Sequence, residues 1–252
     1  MISANGFDYE KFRYPNGELQ IKLTDFNVNK EVNIIYKYDG DESIFELMML
    51  CFTLKENRVP LGWLIMDYVP YSRQDRVNVK GESLSIKMFC QLINSLGFDR
   101  VCIDDPHSDV TTALLDRVGV LNQHEIFKRH FEGLTNYYLV SPDGGALKKI
   151  YKLAKEINAE VIECSKNRNT ATGEITGVNV HFPASLTDQD LYIVDDICEG
   201  GRTFIEIAKA IKKIPLFTGK IILMVTHGFF TKGLEVFDGL IDEIYTKEGK
   251  VK

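Results

Sequence analysis

At 252 residues, with 44% apolar side chains and a formal net charge of −6, the chain can bury one large core or two modest ones, and its acidic balance argues against a general nucleic-acid binder. Its five cysteines are scattered with no CxxC pair, which argues against a disulfide framework or a zinc site and for free thiols in a reducing compartment. No apolar run approaches the roughly eighteen residues of a membrane span, and Met1-Ile-Ser-Ala-Asn-Gly6 lacks the basic-then-apolar pattern of a signal peptide, so the expected location is cytoplasmic, with no membrane partner.

Strand and helix patterns alternate along the chain, which predicts an α/β architecture with largely parallel sheets. Tyr14-Pro-Asn16-Gly17-Glu18 reads as a turn between short strands. Glu31 to Tyr38 reads as a strand, and Asp41 to Lys55 as a helix with Asp41 or Ser43 as its cap. Leu61 to Val69 is a second strand, Ser83 to Leu96 a helix closed by Gly97, and Arg100 to Asp104 a third strand. A break falls near Arg117 to His124, and then the rhythm returns. Tyr137 to Val140 is a strand, Ala146 to Ile157 a helix, and Glu160 to Glu163 a strand followed by a polar stretch from Ser165 to Asn179. Leu191 to Val194 is a buried strand, Phe204 to Lys213 a helix, and Lys220 to Thr226 a last strand. Two similar lobes are expected, 1–120 and 121–252.

Polar clusters recur just after strands, where ligands bind in open α/β sheets. The strongest is Val194-Asp195-Asp196-Ile-Cys-Glu199-Gly200-Gly201-Arg202-Thr203. Backbone N–H groups at such a turn and helix start suit a phosphate, and the paired carboxylates suit sugar hydroxyls or a magnesium ion. Arg73-Gln74-Asp75-Arg76 offers two guanidinium groups to polyphosphate oxygens, or else a local Arg–Asp pair. Asp104-Asp105-Pro-His107 has the groups to hold a divalent cation, or a hydrogen-bonded structural histidine. Ser141-Pro-Asp143-Gly144-Gly145 is either simple turn chemistry or a carboxylate beside a backbone cradle. Lys166-Asn-Arg168 opens a segment with Thr170, Thr172 and Gly173 that reads as a mobile loop carrying positive charge over a reacting phosphate, or as a solvated loop. His124, His130 and His181 lie in no comparable cluster and read as structural.

Taken in order, these clusters resemble the ribose-phosphate diphosphokinases, or phosphoribosyl pyrophosphate synthetases, from about Tyr14 to Gly233. Tyr14-Pro-Asn16-Gly17-Glu18 resembles that family's Phe-Ser-Asp-Gly-Glu, Tyr71-Ser-Arg73-Gln74-Asp75-Arg76 its Tyr-Ala-Arg-Gln-Asp-Arg, and Asp105-Pro-His107 its Asp-Leu-His. Val140-Ser-Pro-Asp143 resembles its Val-Ser-Pro-Asp turn, Lys166-Asn-Arg168 its Lys-Arg-Arg, and Asp195-Asp196 the acidic pair shared with type I phosphoribosyltransferases. The resemblance implies two type I phosphoribosyltransferase-like lobes, an ATP side and a sugar-phosphate side. It implies ATP against Arg73, Gln74 and Asp75, with Tyr14, Asn16 and Glu18 reaching the adenine from a neighbouring subunit. It also implies Mg2+ held by His107 and Asp143, catalytic charges on Lys166 and Arg168, ribose hydroxyls on Asp195 and Asp196, and the 5-phosphate on Glu199, Gly200, Gly201, Arg202 and Thr203. The implied partners are ATP and a ribose-5-phosphate-type acceptor, in a homo-oligomer (dimer or hexamer).

The resemblance has departures. The family reads Asp-Thr-Ala-Gly-Thr where this chain has Glu199-Gly-Gly-Arg-Thr203, a roomier turn that also admits a larger acceptor such as ADP-ribose. Asn167 replaces the middle loop arginine, Pro106 the leucine before the histidine, and the sequence stops soon after Ile244, which bears on the hexamer. A non-catalytic regulatory relative would be free to lose Lys166, Arg168, Asp195 and Asp196, and all four are present. A true phosphoribosyltransferase would not need the Arg73 cluster.

Overall fold

In a computed structural model that describes residues 2–168, 175–180, 182–183 and 186–252, with the backbone alone at 4, 166–168 and 175–180, the chain divides into two units, Met1–Leu121 and Asn122–Lys252. The expected loop residues Thr170, Thr172 and Gly173, and also His181, lie outside the described residues.

The first unit runs β1 (Ile2–Asn5), β2 (Phe7–Arg13), β3 (Leu19–Phe26), β4 (Val32–Tyr36), α1 (Asp41–Glu56), β5 (Leu61–Met66), α2 (Ser85–Leu96), β6 (Arg100–Asp104), α3 (Asp109–Leu114) and β7 (Val118–Leu121). Its five-stranded sheet has the order β1-β4-β5-β6-β7, with β4 to β7 parallel and β1 antiparallel at the edge. Val32, Ile34 and Tyr36 alternate with exposed Asn33 and Ile35, so one face of β4 meets the helices. Those helices answer with apolar stripes at helical spacing, Leu47, Leu50, Cys51 and Leu54 on α1 and Ile86, Phe89, Cys90 and Ile93 on α2. Burying each such side chain contributes about 1.5–3 kcal/mol. Gly97, in the left-handed region at φ 69°, ends α2 as expected. The cap of α1 differs from expectation. Gly40 holds that position, while Ser43 Oγ donates to Gly40 O (2.6 Å) and meets the Tyr36 hydroxyl (2.8 Å).

The β2–β3 hairpin is a separate sheet lying on α1. Phe7, Leu23 and Ile21 join the core from successive levels of the hairpin, Phe7 at its base and Ile21 opposite Lys11. Alongside them Tyr9 and Lys11 bond Glu46 (2.9 Å each), and nearest the tip Arg13 pairs with Glu42 (2.8 Å).

The second unit runs α4 (Gln123–Phe127), β8 (Tyr137–Ser141), α5 (Leu147–Ile157), β9 (Val161–Arg168), β10 (Ile175–Val180), β11 (Asp190–Cys198), α6 (Arg202–Ile211), β12 (Ile221–Gly228), β13 (Glu243–Thr246) and β14 (Gly249–Lys250). Its seven strands have the order β10-β9-β8-β11-β12-β13-β14, parallel from β9 to β13 and antiparallel at both edges. The central strand β11 is buried on both faces, as an inner parallel strand should be. Leu191 and Ile193 pack with Ile207 and Ile211 of α6, while Tyr192 and Val194 pack with Ile150 and Leu153 of α5.

The structure corrects three further sequence expectations. The strand expected to end at Val194 runs on to Cys198, because its parallel register with β12 continues to Cys198–Gly228. The helix expected from Phe204 starts two residues earlier, at Arg202. Lys166 and Arg168 lie in a strand, because the backbone of β9 pairs antiparallel with β10, Lys166 opposite Val178 and Arg168 opposite Ile175. His124 and His130 are packed residues, with His124 Nε2 3.4 Å from Glu156 and His130 edge-on to Phe131, Tyr192 and Tyr245.

Candidate active site

Within the second unit, candidate residues gather at the carboxyl ends of β8 and β11. Strand alternation sends neighbouring side chains to opposite faces. Asp196 therefore follows Tyr192 and Val194 to the α5 face, and there Lys149 Nζ donates to its Oδ2 at 3.3 Å. Asp195 follows Leu191 and Ile193 to the α6 face, with its Oδ1 accepting the Asp196 N–H at 2.9 Å. Burial, then the Asp196 charge and a hydrogen bond to it, then the Asp143 charge, push the Asp195 carboxyl well above its ordinary pKa.

Asp143 has a local task that the sequence left open. Its Oδ1 accepts the N–H groups of Gly145 (2.9 Å) and Ala146 (3.2 Å), and its carbonyl accepts Ser141 Oγ (3.0 Å). Of the two readings left open at Ser141 to Gly145, the turn chemistry is present, with Asp143 itself taking the Gly145 and Ala146 N–H groups. The start of α6 differs, because Gly201 holds the cap position and no side chain caps it. Helix N-termini of this kind present N–H groups able to meet an anion, and Glu199, Gly200, Arg202 and Thr203 flank this one. Gly201 is obligatory here: its φ is 74°, and a Cβ would fall 2.4 Å from Phe237 Cζ.

In the first unit the loops after neighbouring strands β5 and β6 come together. Asp75 is buried, its carboxylate is forked by Arg76 Nε (2.9 Å) and Arg76 Nη2 (3.2 Å), and it feels the nearby His107. The Arg76 hydrogen bond, opposed by burial, holds the Asp75 carboxyl below its ordinary pKa. Arg76 is therefore engaged by Asp75, the local pair that the sequence allowed, and Arg73 and Gln74 beside it are exposed. Tyr71 takes φ 61°, and its hydroxyl donates to Asp41 Oδ1 (2.5 Å), which also accepts from Tyr38 (2.8 Å). This fastens the loop to the first turn of α1. Tyr14, Asn16 and Glu18 sit exposed at the hairpin tip, where the Glu18 N–H reaches Asn16 Oδ1 (3.3 Å) and Gly17 turns the chain at φ 92°.

His107 and Asp143 belong to different units, and among the described residues no three His, Cys, Asp or Glu side chains form a metal-binding group. Among them too, no helix is long and apolar enough to cross a membrane. Lys149 was not singled out from the sequence, although a signal existed. Lys148 and Lys149 fall in the first turn of α5, where no acid stands and where cations oppose the helix dipole. Such placement asks for a nearby carboxylate.

A family model for the N-terminal domain of ribose phosphate pyrophosphokinase matches residues 3–97. The ribose-phosphate pyrophosphokinase of Sulfurisphaera tokodaii is 29% identical over 91% of this chain and 79% of its own length. That of Pyrococcus furiosus is 27% identical, covering 92% of this chain and 82% of its own. A crystal structure of phosphoribosylpyrophosphate synthetase from Mycobacterium smegmatis shares the fold, with a TM-score of 0.76 and 18% identity over 95% of this chain and 80% of that one. The α/β fold of two phosphoribosyltransferase-like units is the one the resemblance implied.

Proposed function

The chain belongs to the ribose-phosphate pyrophosphokinases, and from that premise we propose that it transfers the β,γ-diphosphoryl group of ATP to the anomeric hydroxyl of ribose 5-phosphate, giving phosphoribosyl pyrophosphate and AMP. One observation carries the reading: Asp195 and Asp196, the latter bonded to Lys149, close the strand that leads into an α6 N-terminus with no side-chain cap. The acids accept hydrogen bonds from the ribose hydroxyls, and the turn from Glu199 to Thr203 receives the 5-phosphate.

ATP lies against Arg73, Gln74 and Asp75. Tyr14, Asn16 and Glu18 of a neighbouring subunit complete the adenine site, which makes the working molecule a homo-oligomer. The anomeric oxygen forms a bond to the β-phosphorus while the bond from that phosphorus to the α,β-bridging oxygen breaks. AMP carries away the electron pair, and the hydroxyl proton passes to solvent. Attacking and leaving oxygens lie roughly in line, so positioning and charge do most of the work. Lys166 and Arg168 supply cationic charge to the equatorial oxygens.

Magnesium suits this chemistry. It takes oxygen ligands, keeps several waters, and needs only one or two carboxylates beside the substrate phosphates. Asp143, whose charge adds to the crowding around Asp195, fits that donor set, and His107 is the second proposed holder. A bound Mg2+ would neutralise developing charge on the diphosphoryl group.

AMP release from ATP, measured with and without Mg2+, tests the reading. Ribose 5-phosphate is the expected acceptor. Turnover with ADP-ribose alone would replace it with the larger sugar, and inactivity with both would refute the diphosphotransferase reading.

A further inference from the structure

Gly200 and Gly201 are adjacent but answer different constraints. Gly201 is fixed by its backbone angle and by Phe237, whereas a Cβ on Gly200 would meet only the methylenes of Lys232, at 3.5 to 3.8 Å, which is ordinary contact. The Lys232 stem therefore lies over the bare backbone of Gly200. The segment bearing it is stitched to the turn on both strands' ends: the Phe229 N–H donates to Cys198 O (2.8 Å), the Thr231 N–H to Glu199 O (2.9 Å), and the Gly233 N–H closes back on Phe230 O (2.8 Å). Arg202 occupies the first turn of α6, and that turn holds no acid. Arg202 thus stands at the positive end of a helix dipole with Glu199 two residues before the cap, and the Lys232 stem passes beside the same turn, so an anion seated there meets cationic side chains.

We propose that Lys232 is a specificity-determining residue of the acceptor site: its ammonium, brought over Gly200, meets the terminal phosphate of the sugar and favours a phosphomonoester over a phosphate joined in a diphosphate link. The inference rests on the acceptor site assigned under the proposed function. A monoester phosphate carries about −1.5 to −2 at neutral pH, more charge than a phosphorus esterified on both sides, so the same ammonium discriminates between them. The long flexible stem matters too, because it fills space that a larger acceptor would need.

The test is a calorimetric titration of the full chain, and of Lys232→Ala and Lys232→Arg, with ribose 5-phosphate and separately with ADP-ribose. Lys232 is exposed, so both variants should melt with the parent. Lys232→Ala should weaken ribose 5-phosphate binding by about tenfold or more, as loss of a charged hydrogen bond does, and ADP-ribose binding far less. Lys232→Arg should restore most of the affinity. Unchanged ribose 5-phosphate binding in Lys232→Ala, an equal loss for both ligands, or no binding by the parent chain would overturn the proposal. Binding that depends on Lys232 in a chain that releases no AMP would refute the diphosphotransferase reading and leave this one standing. AMP formation at an unchanged KM for ribose 5-phosphate in Lys232→Ala would do the reverse.

Discussion

Lys149 and Asp196, 47 residues apart in sequence, meet at 3.3 Å between Nζ and Oδ2. The contact joins the first turn of α5 to the central strand, and it offsets part of the negative charge that Asp143, Asp195 and Asp196 bring together.

Replacing Lys149 with Met should leave Asp196 buried without that partner. Removing one member of such a pair costs about 1–3 kcal/mol, most of it from the carboxylate left behind. Denaturant unfolding should show the loss, and the KM for the sugar acceptor should rise with it. A variant as stable as the parent would mean that other groups satisfy Asp196.

Asp195→Asn should act in the opposite direction. The carboxylate is opposed by burial and by Asp196, so a neutral isostere relieves repulsion. The expected result is a protein at least as stable as the parent at neutral pH but with much weaker acceptor binding. Lower stability would show that the charged form of Asp195 is a structural need.

Gly201→Ala and Gly200→Ala form a matched pair. A Cβ at Gly201 meets a ring atom at 2.4 Å from a backbone at φ 74°, and thermal unfolding should report a loss of about 1–3 kcal/mol. Gly200→Ala meets only a flexible lysine stem and should stay within about 0.5 kcal/mol of the parent. Equal melting of the two variants would contradict the difference drawn between these glycines.

Glu243 gives a pH prediction away from the site. Lys220, Tyr245 and Lys250 hold its carboxyl down to about 2 from an ordinary 4.5. A depressed acid stabilises the fold above its unfolded pKa and loses that contribution as pH falls through the folded value. Stability should therefore decline between about pH 4.5 and 2, and Glu243→Gln should flatten that part of the curve. An unaltered acid limb in the variant would place the acid sensitivity elsewhere.

Lys166→Ala should keep the fold and ATP binding while losing roughly a hundredfold in turnover, the scale of one missing cation at a transition state. Near-parent turnover would remove Lys166 from the chemistry.

The alternating architecture was legible because the strands β5, β6, β8 and β12 are short apolar runs with turn residues after them. The acidic pair was legible as a pair, but its division between two faces was not, since that depends on how far β11 runs, and long-range pairing with β12 decides it. Arg76 was open between a ligand group and a local pair with Asp75, and the structure shows that pair. The turn at Gly144-Gly145 stayed open between two readings for a similar reason: an Asx turn and a ligand nest ask for the same residues. Lys232 left no mark at all in the pattern, because only the fold brings it over Gly200.

The hairpin that carries Tyr14, Asn16 and Glu18 is laced to α1 in two manners, by apolar packing of Phe7, Leu23 and Ile21 along its length and, nearest its tip, by the exposed Arg13–Glu42 ion pair. Dissolved salt weakens the second kind and spares the first. Ionic strength should thus loosen the outermost turn of the hairpin, Tyr14 to Glu18, while the apolar stretch behind it stays seated.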